Sequence, residues 1–170
     1  MLRWILAGSA ILAAATPAHA ERRAQLQADL GLATVALAYE HPLGGRAAIQ
    51  VEAGIVGTYF LPWFDRGDNF VGVGAGLRPT VFSDGDSRGW YVAPYLRVDR
   101  VTAERDGASG TGIGFSAGFF VGRVFRPTPR LDLRVGAGAQ YFHFAADTAM
   151  GPVEAKTPFL ALDAVVGYRL

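Results

Sequence analysis

The chain of 170 residues contains no cysteine, which excludes a disulfide framework and any thiolate metal site. It has one lysine, Lys156, so almost every positive charge is an arginine, and no block of like charge marks a nucleic-acid-binding tail. Beyond residue 20 no apolar run approaches the roughly 18 residues that a membrane-spanning helix requires. If this protein enters a membrane after residue 20, it does so by other means.

The first 20 residues have their own pattern. Arg3 precedes the apolar run of residues 4–15, and Ala18-His19-Ala20 supplies a small-x-small end. These are the three parts of a cleaved secretory signal, and the run is too short for a spanning anchor. Cleavage after Ala20 is expected, leaving residues 21–170 as one domain. Removing Arg3 from 16 basic residues leaves 15 against 15 acidic ones, so the exported part carries no formal net charge. An exported domain without disulfides must hold itself together through hydrogen-bond ladders and packing.

What is present is alternation of period two, the mark of half-buried strands. In residues 47–59, Ile49, Val51, Ala53 and Ile55 oppose Gln50, Glu52 and Gly54. The same division recurs in residues 30–41, 70–82, 90–101, 113–125, 131–144 and 159–170. A soluble sandwich also alternates, but here the polar face is rich in Gly, Ala and Ser, which suits a narrow lumen. The opposite face has the Val, Leu, Ile and Phe composition that lipid requires, with Trp90, Tyr59, Tyr141 and Tyr168 as aromatic girdle residues. The expected fold is all-β: a closed antiparallel up-and-down transmembrane β-barrel, with eight strands favoured. Seven segments are explicit; residues 21–29 supply a short eighth strand, cross the lumen or lie as an amphipathic helix. Compact turns are expected at residues 42–45, 83–89 and 126–130, and longer loops at 61–69, 102–111 and 145–158.

Inward parity falls on Glu40, Glu52, Asp99, Asp132 and Asp163, and on Arg78, Arg97, Arg134 and Arg169. Five acids and four arginines in an eight-stranded lumen are expected to pair into an ionic network that fills it. A lumen-lined pore or proton path is the alternative.

The closing run Ala164-Val165-Val166-Gly167-Tyr168-Arg169-Leu170 resembles the terminal signature of bacterial outer-membrane barrels, with Leu170 where Phe is usual. Residues 89–97 and 135–141 are similar to strands of the small families typified by the outer membrane protein A transmembrane domain and outer membrane proteins X and W. The resemblance implies residence in the cell outer membrane as a monomer among outer-membrane lipids and lipopolysaccharide. It also implies recognition of Gly167, Tyr168 and Leu170 by the barrel assembly machinery. It specifies architecture more than activity.

Three functions are compatible with such a barrel: a structural or interaction protein with surface loops, a narrow conduit for small apolar ligands, and a lipid-modifying enzyme. Lipid A deacylases of this architecture carry His-x-Ser, and the matching positions here read His143-Phe144-Ala145, without the nucleophile. Ser87, Ser109 and Ser116 are not placed by sequence beside His143. The loop acids Asp65, Asp68, Glu104, Asp106, Asp147 and Glu154 match no calcium-loop spacing. The expectation is therefore no catalysis, no metal, no cofactor and no nucleic-acid partner. Leu61-Pro62-Trp63-Phe64 is either an adhesive surface or part of the girdle.

Overall fold

The computed structural model describes residues 23–58, 69–84 and 89–170. Residues 1–20, read above as a signal, and the aromatic segment 61–64 lie outside the described residues. Eight strands among those described are β1 Gln25–Gly31, β2 Thr34–Gly44, β3 Ala47–Gly57, β4 Asn69–Phe82, β5 Gly89–Arg105, β6 Ala108–Thr128, β7 Leu131–Thr148 and β8 Gly151–Arg169. Each pairs antiparallel with the next, and β1 closes on β8 in a register running from Leu26↔Tyr168 to Gly31↔Asp163. The eighth strand is thus β1, neither a helix nor a lumen crossing. A turn at Leu32–Ala33 separates it from β2, dividing the segment expected as one strand from residue 30 to 41. Closure gives each strand a neighbour on both sides, as a bilayer that cannot solvate an open sheet requires.

The longer loops expected at 102–111 and 145–158 are instead strand. β5 and β6 continue to a two-residue turn at Asp106–Gly107, and β7 and β8 to one at Ala149–Met150. Asp106 and Gly107 have φ of 50° and 79°, the paired positive values of the hairpin turn that Asp-Gly favours because it matches strand twist. Strand length was underestimated there because alternation persists with polar outward residues: Thr102, Glu104, Ser109 and Thr111 are exposed while Val101 and Ala103 are buried.

No described helix is long and apolar enough to cross a membrane; the strands carry the apolar surface. Leu37 is 75 % exposed and Ile113 73 %, within a belt that includes Val51, Val73, Leu96, Phe119 and Leu160. A continuous belt of this kind is untenable in water and matches lipid. On β7 the outward run Leu131, Leu133, Val135, Ala137, Ala139, Tyr141 covers ten residue steps. That is roughly 33 Å of strand, or roughly 25 Å of bilayer height at a tilt near 40°. Polar and charged side chains resume beyond it at His143, Glu154 and Lys156.

Candidate functional site: the barrel lumen

The strand pleat sends every second side chain inward, and the lumen they fill is layered. At the C-terminal rim, where the Leu170 amide donates to the Ala24 carbonyl at 3.0 Å, Asp132 is fully buried. It accepts from Gln25 at 2.7 Å, Arg126 at 2.9 Å and Arg169 at 2.9 Å. Above it Arg134 grips Glu40 through two parallel bonds of 2.6 and 2.8 Å, the planar fork geometry that makes guanidinium–carboxylate pairs strong. An apolar layer follows, built on Phe82, Tyr91, Phe120 and Val124. Its rings carry the arginines on either side, with Arg134 5.1 Å from the Phe82 centroid and Arg78 4.8 Å from that of Phe120.

The central ionic layer centres on Arg78 and Arg97. Arg78 contacts Asp29 and donates to Asp163 at 2.8 Å, with Glu52 at 3.6 Å. Arg97 donates to Asp99 at 2.7 Å, Glu52 at 3.2 Å and the Gly54 carbonyl at 2.9 Å. Gln50 bridges Asp29 and Glu52, and the Tyr91 hydroxyl donates to Asp163. Beyond this layer the far end of the lumen closes on a second apolar cluster of Phe70, Val101, Phe142, Phe144 and Val153. Its rings pack at 5.3 Å between Phe142 and Phe144 and 5.9 Å between Phe70 and Phe144. A cavity of about 30 Å³ remains between Asp29, Glu52, Arg78 and Arg97 beneath residues 31–34, room for roughly one water.

All nine residues assigned to the lumen, Glu40, Glu52, Arg78, Arg97, Asp99, Asp132, Arg134, Asp163 and Arg169, have their side chains in these bonds. They lie at two heights: Asp132 with Arg169 and Arg134 with Glu40 near one rim, the remaining five in the central layer. Asp29 and Arg126 join them, making six carboxylates and five guanidiniums where five and four were expected. Asp29 was missed because residues 21–29 contain too few alternating positions to fix a parity. The inward aromatics Phe70, Phe142 and Phe144 were not singled out because apolar character alone does not distinguish lipid from lumen. On β8, Gly167 is inward against Gln25, whereas Tyr168 and Leu170 are exposed.

Among the described residues, the polar groups outside the lumen do not assemble a catalytic set. His143 faces outward on β7, its Nε2 2.8 Å from Glu154 and its ring 5.6 Å from that of Phe115. Ser116 is buried on the inward face of β6 and Ser109 is exposed on its outward face; Ser87 lies outside the described residues. Among the described residues no group of three or more His, Asp or Glu is close enough to hold a metal ion; Asp65 and Asp68 lie outside them.

Above the belt, Lys156 donates to both Glu154 oxygens at 3.1 and 3.3 Å. That bond chiefly, with His143 adding to it, holds the Glu154 carboxyl below the ordinary glutamate range. Because the folded value lies below the unfolded one, the interaction is present at neutral pH and is lost as pH falls through the folded value. The carboxyl carbon resonance of Glu154 should therefore titrate at lower pH in the native protein than in Lys156→Gln. Coincident midpoints in the two proteins would contradict the pairing.

Closed ring, ionic lumen and apolar belt together define a small transmembrane β-barrel, and the chain has the fold of the eight-stranded bacterial outer-membrane barrels. Neisserial surface protein A is similar in structure, with a TM-score of 0.57 at 14 % identity over 87 % of this chain and 95 % of that one. The N-terminal β-barrel domain of Pseudomonas aeruginosa OprF gives 0.55 at 12 % identity over 86 % and 96 %. No sequence-defined protein family matches the chain, and no curated protein matches it in sequence.

Proposed function

We propose that this outer-membrane barrel is a non-catalytic structural and interaction protein, a rigid support that carries the β5–β6 and β7–β8 hairpins beyond the bilayer. The observation that carries this reading is the sealed lumen. Two apolar layers enclose the central ionic layer, and both of its arginines are held by carboxylates. An ion crossing the barrel would have to part rings packed about 5–6 Å apart and break buried charge pairs. A catalytic role would need a nucleophile beside His143, where position 145 is alanine. The outward Tyr168 and Leu170 with Gly167 serve, in this reading, as the segment that the assembly machinery recognises, and residues 1–20 as the export signal.

Reconstituted into a planar bilayer, the barrel should produce no sustained single-channel current in symmetrical salt. Regular conductance steps from the native protein would overturn the sealed-lumen reading in favour of a channel.

A further inference from the structure

At the C-terminal rim two outward arginines have no carboxylate partner among the described residues. Arg123 stands exposed on the outward face of β6, opposite Trp90 in the β5–β6 register. Its guanidinium lies 5.7 Å from the Phe125 ring. Arg130, exposed in the following turn, donates to the Tyr168 hydroxyl at 3.3 Å. Among the described residues no carboxylate pairs with either, whereas their neighbours Arg126 and Arg169 turn inward onto Asp132. Two clefts adjoin at Arg126 and Pro127, one lined also by Gly89, Arg123 and Phe125 and the other by Thr128, Pro129 and Arg169. At the far rim Lys156 is matched by Glu154, Glu104 and Asp147 are exposed nearby, and Arg100 is exposed on the outward face of β5.

Trp90, Phe125 and Tyr168 are girdle aromatics, and girdle aromatics sit at headgroup depth. A long arginine at that depth keeps its stem in the apolar region and turns its head to the interface. Its five fixed donors fit phosphate oxygens in bidentate geometry. An unpaired guanidinium against lipid has one abundant counter-ion at that depth, a lipid phosphate. A zwitterionic headgroup would bring its own ammonium close to the guanidinium that holds its phosphate, so a headgroup of net negative charge fits better.

We propose that Arg123, assisted by Arg130, forms a binding site for an anionic glycerophospholipid in the leaflet at the C-terminal rim. The phosphodiester lies on the Arg123 guanidinium beside Trp90 and Phe125, and the acyl chains follow Val121 and Val135 toward the bilayer centre.

The test is native mass spectrometry of the full barrel released from vesicles of equal phosphatidylglycerol and phosphatidylcholine, with lipid A added in a second arm. The native barrel should retain phosphatidylglycerol several-fold above its share of the vesicle. Arg123→Gln should bring retention down to the vesicle ratio, and Arg130→Gln should lower it partially. Arg100→Gln, at an exposed cation near the far rim, should leave it unchanged. A heat-modifiable gel shift confirms that each variant is folded, and Arg123, being exposed, is not needed for closure. Equal retention of the two phospholipids, or enrichment that survives Arg123→Gln, would overturn the proposal. Arg123-dependent retention of lipid A in place of phosphatidylglycerol would overturn the assignment of the phosphate to a glycerophospholipid.

Discussion

Replacing Arg78 with methionine should destabilise the folded barrel by about 3–5 kcal/mol, the cost of leaving buried charges without their partner. Arg78 is 5 % exposed and touches three carboxylates contributed by β1, β3 and β8: Asp29, Glu52 and Asp163. Methionine fills much of the volume and supplies neither charge nor donors. Of the three acids, Asp163 retains only Tyr91, Asp29 retains only Gln50, and Glu52 keeps Arg97 and Gln50. Lysine at the same position restores the charge as a point and not as a fork, so Arg78→Lys should lie between native and Arg78→Met. Equilibrium unfolding in urea from lipid vesicles, followed by tryptophan fluorescence and gel mobility, gives the comparison. A loss under about 1 kcal/mol for Arg78→Met would show that the central layer reorganises freely, contrary to the packed lumen described above.

The second large effect is expected from a glycine. Gly122 and Gly136 pair across β6 and β7 and leave a gap in the lumen wall that the Tyr91 side chain occupies. A Cβ added at either would lie 2.5 Å from the Tyr91 hydroxyl oxygen. Gly136→Val should therefore push Tyr91 aside and break its bond to Asp163. Overpacking costs roughly 1–3 kcal/mol, and a buried carboxylate deprived of a donor costs roughly 1–3 more, so a total of roughly 2–6 kcal/mol is expected. Tyr91→Ala removes the same hydrogen bond and vacates the space, so the double variant should be clearly less destabilised than the sum of the two singles. Strict additivity in that cycle would mean that Gly136 and Tyr91 are not coupled.

How much of this was legible in the sequence depends on how local the cause is. The side of the wall to which Arg97, Asp99, Asp132 or Asp163 belongs follows from pleat alone, because a strand between lipid and lumen must alternate at every residue. The turn at Asp106–Gly107 was equally local, since Asp-Gly is a hairpin signal in itself; it was obscured by the polar residues on the outward face of strands that had already left the bilayer. Asp29 lay in a segment too short to show its period, and it was the pairing of β1 with both β2 and β8 that fixed its direction.

Sequence by itself determined that this chain alternates and which charges on its seven explicit segments are hidden from lipid. The reason is that the hydrophobic effect and the pleat act residue by residue. Only the tertiary structure decided that Arg134 meets Glu40 across 94 positions of sequence, that Arg78 gathers Asp29, Glu52 and Asp163, and that Phe70, Phe142 and Phe144 seal the far end. Those partners are set by the stagger of strands around the ring, which brings residues distant in sequence to one height in the lumen. No single strand carries that information.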